Sequence, residues 1–470
     1  MDFSPLLDEK LDEAMYMQLY RYFKEEIQSA RIPAATRLPS IRQLSIHLQV
    51  SKTTVLMAYQ QLLAEGYIES RERSGYYVVQ LEADSLATSD SAEKQNDSQQ
   101  EQEGNRILYD FFMSGIDLDH FPFDVWRKCY QQSMQLEEKD LLFYGDNQGE
   151  TGLREAICQY LYQSRGVNCT AEQIVIGPST YALVQSLCQL LELERKDVAV
   201  EDPCYPRVRD VFNRLGFQLV PIPLESDGIS LERLQESNAE VVYITPSHQY
   251  PLGMVMPVAK RLKLLTWAAE RDALVIEDDY DGEFRYRGKP IPSLQGLDRN
   301  GNVIYVGTFS KSLMPAIRIS YMVVPQRLLG RYRSGLITYD QTASRLHQRA
   351  LELFMQSGEW ERHIRRMRTL YHKKHAAMLQ AIKTHMGERV SITGQDAGLH
   401  LVLEVKSKES TDTLVNVAEA HGVKVYSTEP MWHERKEGMR PLLLLGFGGL
   451  PLAHIEPGIE LLNRAWTPYY

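Results

Sequence analysis

Cysteine is scarce: five occur in 470 residues (Cys129, Cys158, Cys169, Cys188 and Cys204), and none forms a Cys-x-x-Cys pair. So few, odd in number, exclude a disulfide-stapled secreted domain and a structural zinc site, and they fit a reducing, cytoplasmic compartment with no bound metal. No run of about 18 apolar residues occurs, so no membrane-spanning helix is expected. The opening MDFSPLLDEK is acidic where a signal peptide is basic, which argues against export. Positive charge is in deficit, 52 Lys and Arg against 62 Asp and Glu, a formal net charge of −10. That excludes a protein that coats nucleic acid over its whole surface, while leaving room for one basic module. The remainder is globular in composition, with 43% hydrophobic and 24% charged residues, and the length suits two or three domains.

Between Glu82 and Arg106 aromatic residues are absent and the only apolar ones are Ala83, Leu86, Ala87 and Ala92. Seven acidic side chains against two basic ones leave this stretch at −5, half of the chain's net charge. It cannot bury enough surface to offset its ordering entropy, so a flexible linker is expected over 81–107. It separates an N-terminal domain, 1–80, from a body, 108–470.

In the N-terminal domain, Tyr16, Leu19, Tyr20, Phe23 and Ile27 recur at helical spacing. Pro39-Ser40 opens a short helix, Gln49-Val50 makes a turn, and Ser51 is placed to cap a second helix that ends at Gly66. Tyr67-Ile68 and Tyr76 to Val79 then flank a basic hairpin tip, Arg71-Glu72-Arg73-Ser74-Gly75. Two helices, a tight turn and a hairpin make a winged helix-turn-helix. Ser51, Lys52, Thr53 and Thr54 open the recognition helix, where side chains meet base edges. Arg42, together with Arg71, Arg73 and Gly75 of the wing, suits phosphate contact. Residues 31–80 carry a net charge of +3. The run LPSIRQLSIHLQVSKTTVLMAYQQLLAEGYI and the SGYYV wing resemble the GntR type of bacterial winged-helix regulator, which implies a double-stranded DNA operator as partner.

From Tyr109 onward short β runs alternate with helical segments, which predicts an α/β body with a largely parallel sheet covered on both faces. Ligands of such sheets bind at the carboxyl ends of strands. Four patterns fall there: IVIGPSTYAL, VEDPCYPRVRD, VIEDDYDGEF and VIYVGTFSKSLMPAIRISY. They assemble one chemistry. A lysine such as Lys311 forms a Schiff base with an aldehyde cofactor. A carboxylate such as Asp278 keeps a pyridine nitrogen protonated, making the ring an electron sink. Tyr205 suits stacking on that ring and Tyr280 its phenolic oxygen. Arg318, Ser310, Thr308 and the Ser179-Thr180 turn suit a phosphate.

YGDNQGETGLREAI, EDPCYP, EDDYDGEF and SKSLMPAIR resemble fold type I pyridoxal 5′-phosphate enzymes of the aminotransferase-like group. A GntR-type head on such a body resembles the MocR/GabR family of transcription regulators, a match strengthened by TPSHQYPLG. The resemblance implies pyridoxal 5′-phosphate as cofactor, with Lys311 as aldimine lysine, Asp278 as pyridine partner, Tyr280 as O3′ partner and Tyr205 as stacking residue. It places Arg318, Ser310, Ser179 and Thr180 on the phosphate and His248 and Gln249 near the ring, one of them facing it. It also implies that Tyr144 reaches the partner subunit's phosphate, hence a homodimer. Two departures matter. Ser179, after Pro178, replaces the usual glycine of the phosphate turn. Leu444 stands where many aminotransferases place the arginine that grips the substrate carboxylate. Arg207, or Arg435 or Arg440, is a candidate substitute.

Three readings follow. In the first, a regulator senses a small amino compound through exchange of the Lys311 aldimine. The second is a working aminotransferase with an accessory DNA-binding head. The third is a regulator whose body senses pyridoxal phosphate itself.

Overall fold

The computed structural model describes residues 13–71, 74–80, 107–135, 140–191, 197–286, 292–336, 340–434 and 438–470. Residues 81–106 of the linker expected over 81–107, Arg73 of the wing tip and Arg435 lie outside the described residues. The chain divides into two compact units, Met1–Gln102 and Glu103–Tyr470.

In the first unit α1 (Met15–Gln28), α2 (Ile41–His47) and α3 (Lys52–Ala64) precede a hairpin of β1 (Ile68–Arg71) and β2 (Gly75–Val78). The apolar spacing read from the sequence becomes a core of Leu19, Phe23, Leu44, Val55, Tyr59, Leu62 and Val78. Ser40 caps α2 in a capping box with Gln43, and the Ser51 hydroxyl accepts from the Thr54 N–H at 3.0 Å to cap α3. Gln49 turns the chain between them at φ +55°, and Gly66 leaves α3 at φ +77°, the left-handed conformation glycine tolerates best. Ser51→Ala removes a cap worth about 1 kcal/mol. Calorimetry of the full chain is expected to show the head's transition at lower temperature, and Ser51→Asp to restore it.

The second unit opens with β3 (Tyr109–Asp110), α4 (Phe123–Gln132) and α5 (Thr151–Arg165). Its large sheet is built from β4 (Ile174–Gly177), β5 (Asp197–Asp202), β6 (Gln218–Glu225), β7 (Gly228–Ile229), β8 (Val241–Ile244), β9 (Leu274–Asp279), β10 (Val303–Thr308) and β11 (Ser320–Val323). Their spatial order is β4-β11-β10-β9-β8-β5-β6-β7. Strands β6, β5, β8, β9 and β10, adjacent in that order, run parallel to one another. β11 lies antiparallel between β10 and β4, and β7 is antiparallel to β6.

The inner strands β8 and β9 are buried at every position, as strands covered on both faces must be. On one face Val198, Val200, Ile276 and Val306 pack on Leu183, Leu187, Val208 and Phe212. These come from α6 (Thr180–Leu191) and α7 (Pro206–Arg214). On the other, Ala199, Val242 and Val275 meet Leu264 and Ala268 of the helix Val258–Arg271, while Ile174 and Ile176 meet Leu153 and Ile157 of α5. A smaller sheet follows, from β12 (Val390–Thr393), β13 (His400–Val405), β15 (Tyr426–Ser427) and β16 (Leu442–Gly446), while β14 (Val423–Lys424) pairs with β3. It packs on the helices Glu359–His385 and Leu452–Trp466. Among the described residues no helix is long and apolar enough to cross a membrane.

Candidate functional site

Because β11 runs against both β4 and β10, strands β4, β5, β8, β9 and β10 all end at one edge of the sheet. A cavity of about 570 Å³ opens there. Ser179, Thr180, Tyr205, Arg207, Asp278, Tyr280, Thr308, Ser310, Lys311 and Arg318, far apart in sequence, all line it.

Asp278 is almost fully buried. Its Oδ2 accepts from the Tyr243 hydroxyl at 2.6 Å, while Oδ1 is buried with no hydrogen-bond partner. Burial pushes its carboxyl up to about 7, Asp279 and Asp281 add to the rise, and the Tyr243 hydrogen bond opposes it. A buried carboxyl of this kind awaits a cation. Lys311 follows β10 and donates from Nζ to the Met113 carbonyl at 2.6 Å. Burial lowers its amine to about 8, against a smaller upward pull from Asp281. An amine so depressed keeps a neutral, nucleophilic fraction near neutral pH.

The same cavity holds a cup of donors. Thr180 opens α6, whose first N–H groups are unpaired within the helix. Ser179 caps that helix, its Oγ accepting from the Ala182 N–H at 3.3 Å. Thr308 Oγ1 donates to Ser310 Oγ at 3.1 Å and accepts from Ser320 Oγ at 2.8 Å. Arg318 sits at φ +53°, a left-handed conformation that costs a non-glycine residue of order 1–3 kcal/mol and recurs at ligand clamps. Tyr205 meets Tyr250 edge-on at 5.4 Å, and Tyr250 meets Tyr280 at 5.8 Å.

Other sequence candidates stand outside the cavity wall. His248 does not line the cavity. It is buried with its Nδ1 at 2.9 Å from the Tyr280 hydroxyl, because the Ser247–Tyr250 turn folds inward against Asp281. Gln249 is likewise buried, its amide spent on the carbonyls of Pro203 and Tyr250. Tyr144 is 95% exposed and does not reach its own chain's cavity. Arg440 pairs with Glu404 at 3.0 Å and stands outside the cavity. Leu444 packs among Tyr250, Val402, Met431 and Leu442. Sequence reasoning missed Tyr243, a mid-strand aromatic indistinguishable from core, along with Met113, Tyr250 and His400, which reach the cavity from remote segments.

In the head, Arg42, Lys52 and Thr53 are exposed, whereas the hydroxyls of Ser51 and Thr54 bond to each other at 2.8 Å. Arg71 pairs with Glu69 at 2.7 Å and lies over the Tyr77 ring at 4.4 Å. Gly75 takes φ +111° beside Arg37, whose Nε lies 3.5 Å from where a Cβ would stand. Exposed Arg37 thus joins the wing, a basic residue the sequence reading passed over.

Two family models match the chain. The gntR family of bacterial regulatory proteins covers residues 15–78, and aminotransferase class I and II covers residues 115–434. Together they define a DNA-binding regulator whose body has the aminotransferase fold. The chain is 43% identical over 466 residues to the uncharacterized HTH-type transcriptional regulator YdeL of Bacillus subtilis, across 99% of this chain and 100% of that protein. It is 33% identical to the probable rhizopine catabolism regulatory protein MocR of Rhizobium meliloti, across 98% and 95%. The body matches the crystal structure of a Pyrococcus horikoshii kynurenine aminotransferase with a TM-score of 0.70 at 27% identity, across 77% of this chain and 91% of that one. The chain belongs to the MocR-type family of HTH transcriptional regulators.

Proposed function

We propose that the protein is a cytoplasmic, homodimeric regulator that binds a DNA operator through its winged heads and senses a small amino compound in the cavity at Lys311. The aminotransferase class I and II body takes pyridoxal 5′-phosphate, and the donor set fits it. The unpartnered Oδ1 of buried Asp278 suits a pyridinium N–H, and the cup of Thr180, Ser310 and Arg318 suits a phosphate. When bound, that cofactor supplies an aldehyde that exchanges between a lysine amine and a ligand amine, on a ring that withdraws electrons.

The chain's own residues divide the remaining work. Asp278 pairs with the ring nitrogen and Tyr243 fixes the carboxylate's orientation. Tyr205 covers the ring and Tyr280 donates to its phenolic oxygen. Lys311 would hold the cofactor through its amine, and once released its Nζ would carry the proton that the incoming ligand amine gives up. Tyr144, exposed on its own subunit, extends to the phosphate of the partner subunit.

One observation carries sensing over turnover. Besides Lys311 and Arg318, the only lysine or arginine among the described residues lining the cavity is Arg207, and Leu444 sits in an apolar cluster. A ligand carboxylate is therefore gripped once, which weakens the orientation that rapid transamination requires. The lysine and the carboxylate are both present, so the aminotransferase reading is tested directly. Cofactor-loaded protein is titrated with a panel of amino compounds while absorbance and released keto acid are followed. A persistent spectral change, reversible on dialysis and without keto acid, is expected. Stoichiometric keto acid with loss of the visible band would make it an enzyme. Response to pyridoxal phosphate alone, with no amine effect, would make the cofactor itself the signal.

The two heads of a dimer read half-sites about 34 Å apart or a multiple of that. Arg42→Ala is expected to weaken binding to all DNA evenly and to lower the salt slope by about one. Lys52→Ala is expected to cost about 1–3 kcal/mol on the operator only. Fluorescence anisotropy at several salt concentrations, on operator and scrambled DNA, checks both.

A further inference from the structure

Two buried residues that do not line the cavity, Asp281 and His248, are joined to one that does, Tyr280. His248 Nδ1 lies 3.1 and 3.0 Å from the two Asp281 carboxylate oxygens and 2.9 Å from the Tyr280 hydroxyl. A carboxylate only accepts hydrogen bonds. The proton therefore resides on Nδ1, shared between Asp281 and the Tyr280 oxygen, since a bare Nδ1 lone pair would face a carboxylate. With its oxygen occupied as an acceptor, Tyr280 has its own proton free to point into the cavity. His248 Nε2 is buried without a partner, so this ring is held for what Nδ1 does.

The surrounding backbone is shaped around the imidazole. A Cβ on Gly398 would lie 2.0 Å from His248 Cε1, and one on Gly253 would lie 3.0 Å from Nε2. His400 donates from Nε2 to the Pro251 carbonyl at 2.9 Å, and its ring centre lies 4.9 Å from that of His248. Burial holds the His400 ring far down, near 3, and so neutral.

We propose that Asp281 and His248 are positioning residues that hold Tyr280 as a hydrogen-bond donor toward the cofactor's phenolic oxygen, and so set the proton affinity of the nitrogen that Lys311 shares with the cofactor. The proposal rests on the reading that Lys311 carries pyridoxal phosphate. A donor to the phenolic oxygen stabilises its anion and makes the neighbouring nitrogen a weaker base. Losing the donor raises that nitrogen's proton affinity. Asp278, Glu201, Tyr250 and His400 also act on Tyr280 or Lys311, Tyr205, Arg207, Tyr243 and Arg318 line the same cavity, and all stay in place in the variants below. Asp281 is left intact because its charge also acts directly on Lys311, in the upward direction.

The test is a pH titration of the visible absorbance of cofactor-loaded, full-length protein. His248→Phe and His248→Gln, neither of which puts an N–H where Nδ1 stands, are expected to raise the midpoint by about one pH unit, tenfold in proton affinity. His248→Asn, whose amide reaches that place, is expected to return the midpoint to near that of the unaltered protein. Tyr280→Phe should shift the midpoint as much as the double variant Tyr280→Phe, His248→Phe, because the histidine acts only through the tyrosine. If the phenylalanine does not fold, the glutamine, closer in polarity, carries the result. An unmoved midpoint, additive shifts in the double variant, or a stoichiometric divalent ion held by His248, Asp281 and His400, whose ligand atoms lie within 4.8 Å of one another, would overturn the proposal. Protein without a visible band would instead overturn the reading that Lys311 carries the cofactor.

Discussion

Lys311→Ala is expected to abolish every effector-dependent change in operator binding while the winged head still binds DNA. Lys311 is the amine in the cavity whose proton affinity burial has lowered to about 8, and its hydrogen bond to the Met113 carbonyl aims Nζ inside rather than at solvent. Alanine removes the one lysine that lines the cavity among the described residues, and with it the amine that would hold an aldehyde covalently. The cup and Asp278 would still bind the cofactor noncovalently, so some occupancy remains without the lysine-linked band. A ligand shifts a two-state equilibrium only through its different affinity for the two states, about 1.4 kcal/mol for each tenfold change. With no lysine to displace, that difference disappears. Operator affinity measured with and without ligand, beside the visible spectrum, decides it. An unaltered ligand response in the variant would refute sensing through Lys311.

Asp278→Asn is expected to have opposite effects on the cofactor-free and cofactor-loaded protein. Without cofactor, the Asp278 carboxyl is buried with one oxygen unpartnered and its pKa is raised to about 7. A carboxyl with a folded-state pKa above its unfolded value stabilises at low pH and loses that contribution as pH rises from about 4 toward 7, because the folded state binds the extra proton. The cofactor-free asparagine variant should therefore gain in melting temperature over the unaltered protein as pH rises through that window. With cofactor the sign reverses. The pyridinium loses its charged partner, a truncation that costs about 2–5 kcal/mol for a buried hydrogen-bonded pair, some thirtyfold to several thousandfold in affinity. Thermal melts at pH 4.5 and 7 with and without cofactor, plus a binding titration, test both halves. A cofactor affinity unchanged by the substitution would remove Asp278 from the ring nitrogen.

Much of this organisation was legible along the chain, for a local reason. Ser179, Asp278, Thr308 and Lys311 each lie at or just beyond the end of a strand. In a mostly parallel sheet those ends share one edge, so recognising the strands was enough to gather the residues. The head was legible for a similar reason: caps such as Ser40 and Ser51 and the turn at Gln49 act within three or four residues. Where several side chains competed for one place, local pattern stopped being informative. Ser-His-Gln offered two candidates beside the ring, and neither lines the cavity: His248 turns to Asp281 and Gln249 to the carbonyls of Pro203 and Tyr250.

The two-part architecture, the basic winged head and the lysine and carboxylate of the cavity can be read along the chain, because periodicity, capping and strand-end chemistry are short-range properties. What surrounds them depends on long-range packing. Tyr243 reaches Asp278 because the register sets Tyr243 beside Ile276, two residues before that carboxylate on the neighbouring strand. His400 enters the cavity wall from the smaller sheet, and Arg440 turns aside to Glu404. Each of these contacts spans more than 30 residues of chain. Its existence depends on strand register and on how the two sheets pack, and neither is written in any window of the sequence short enough to read alone.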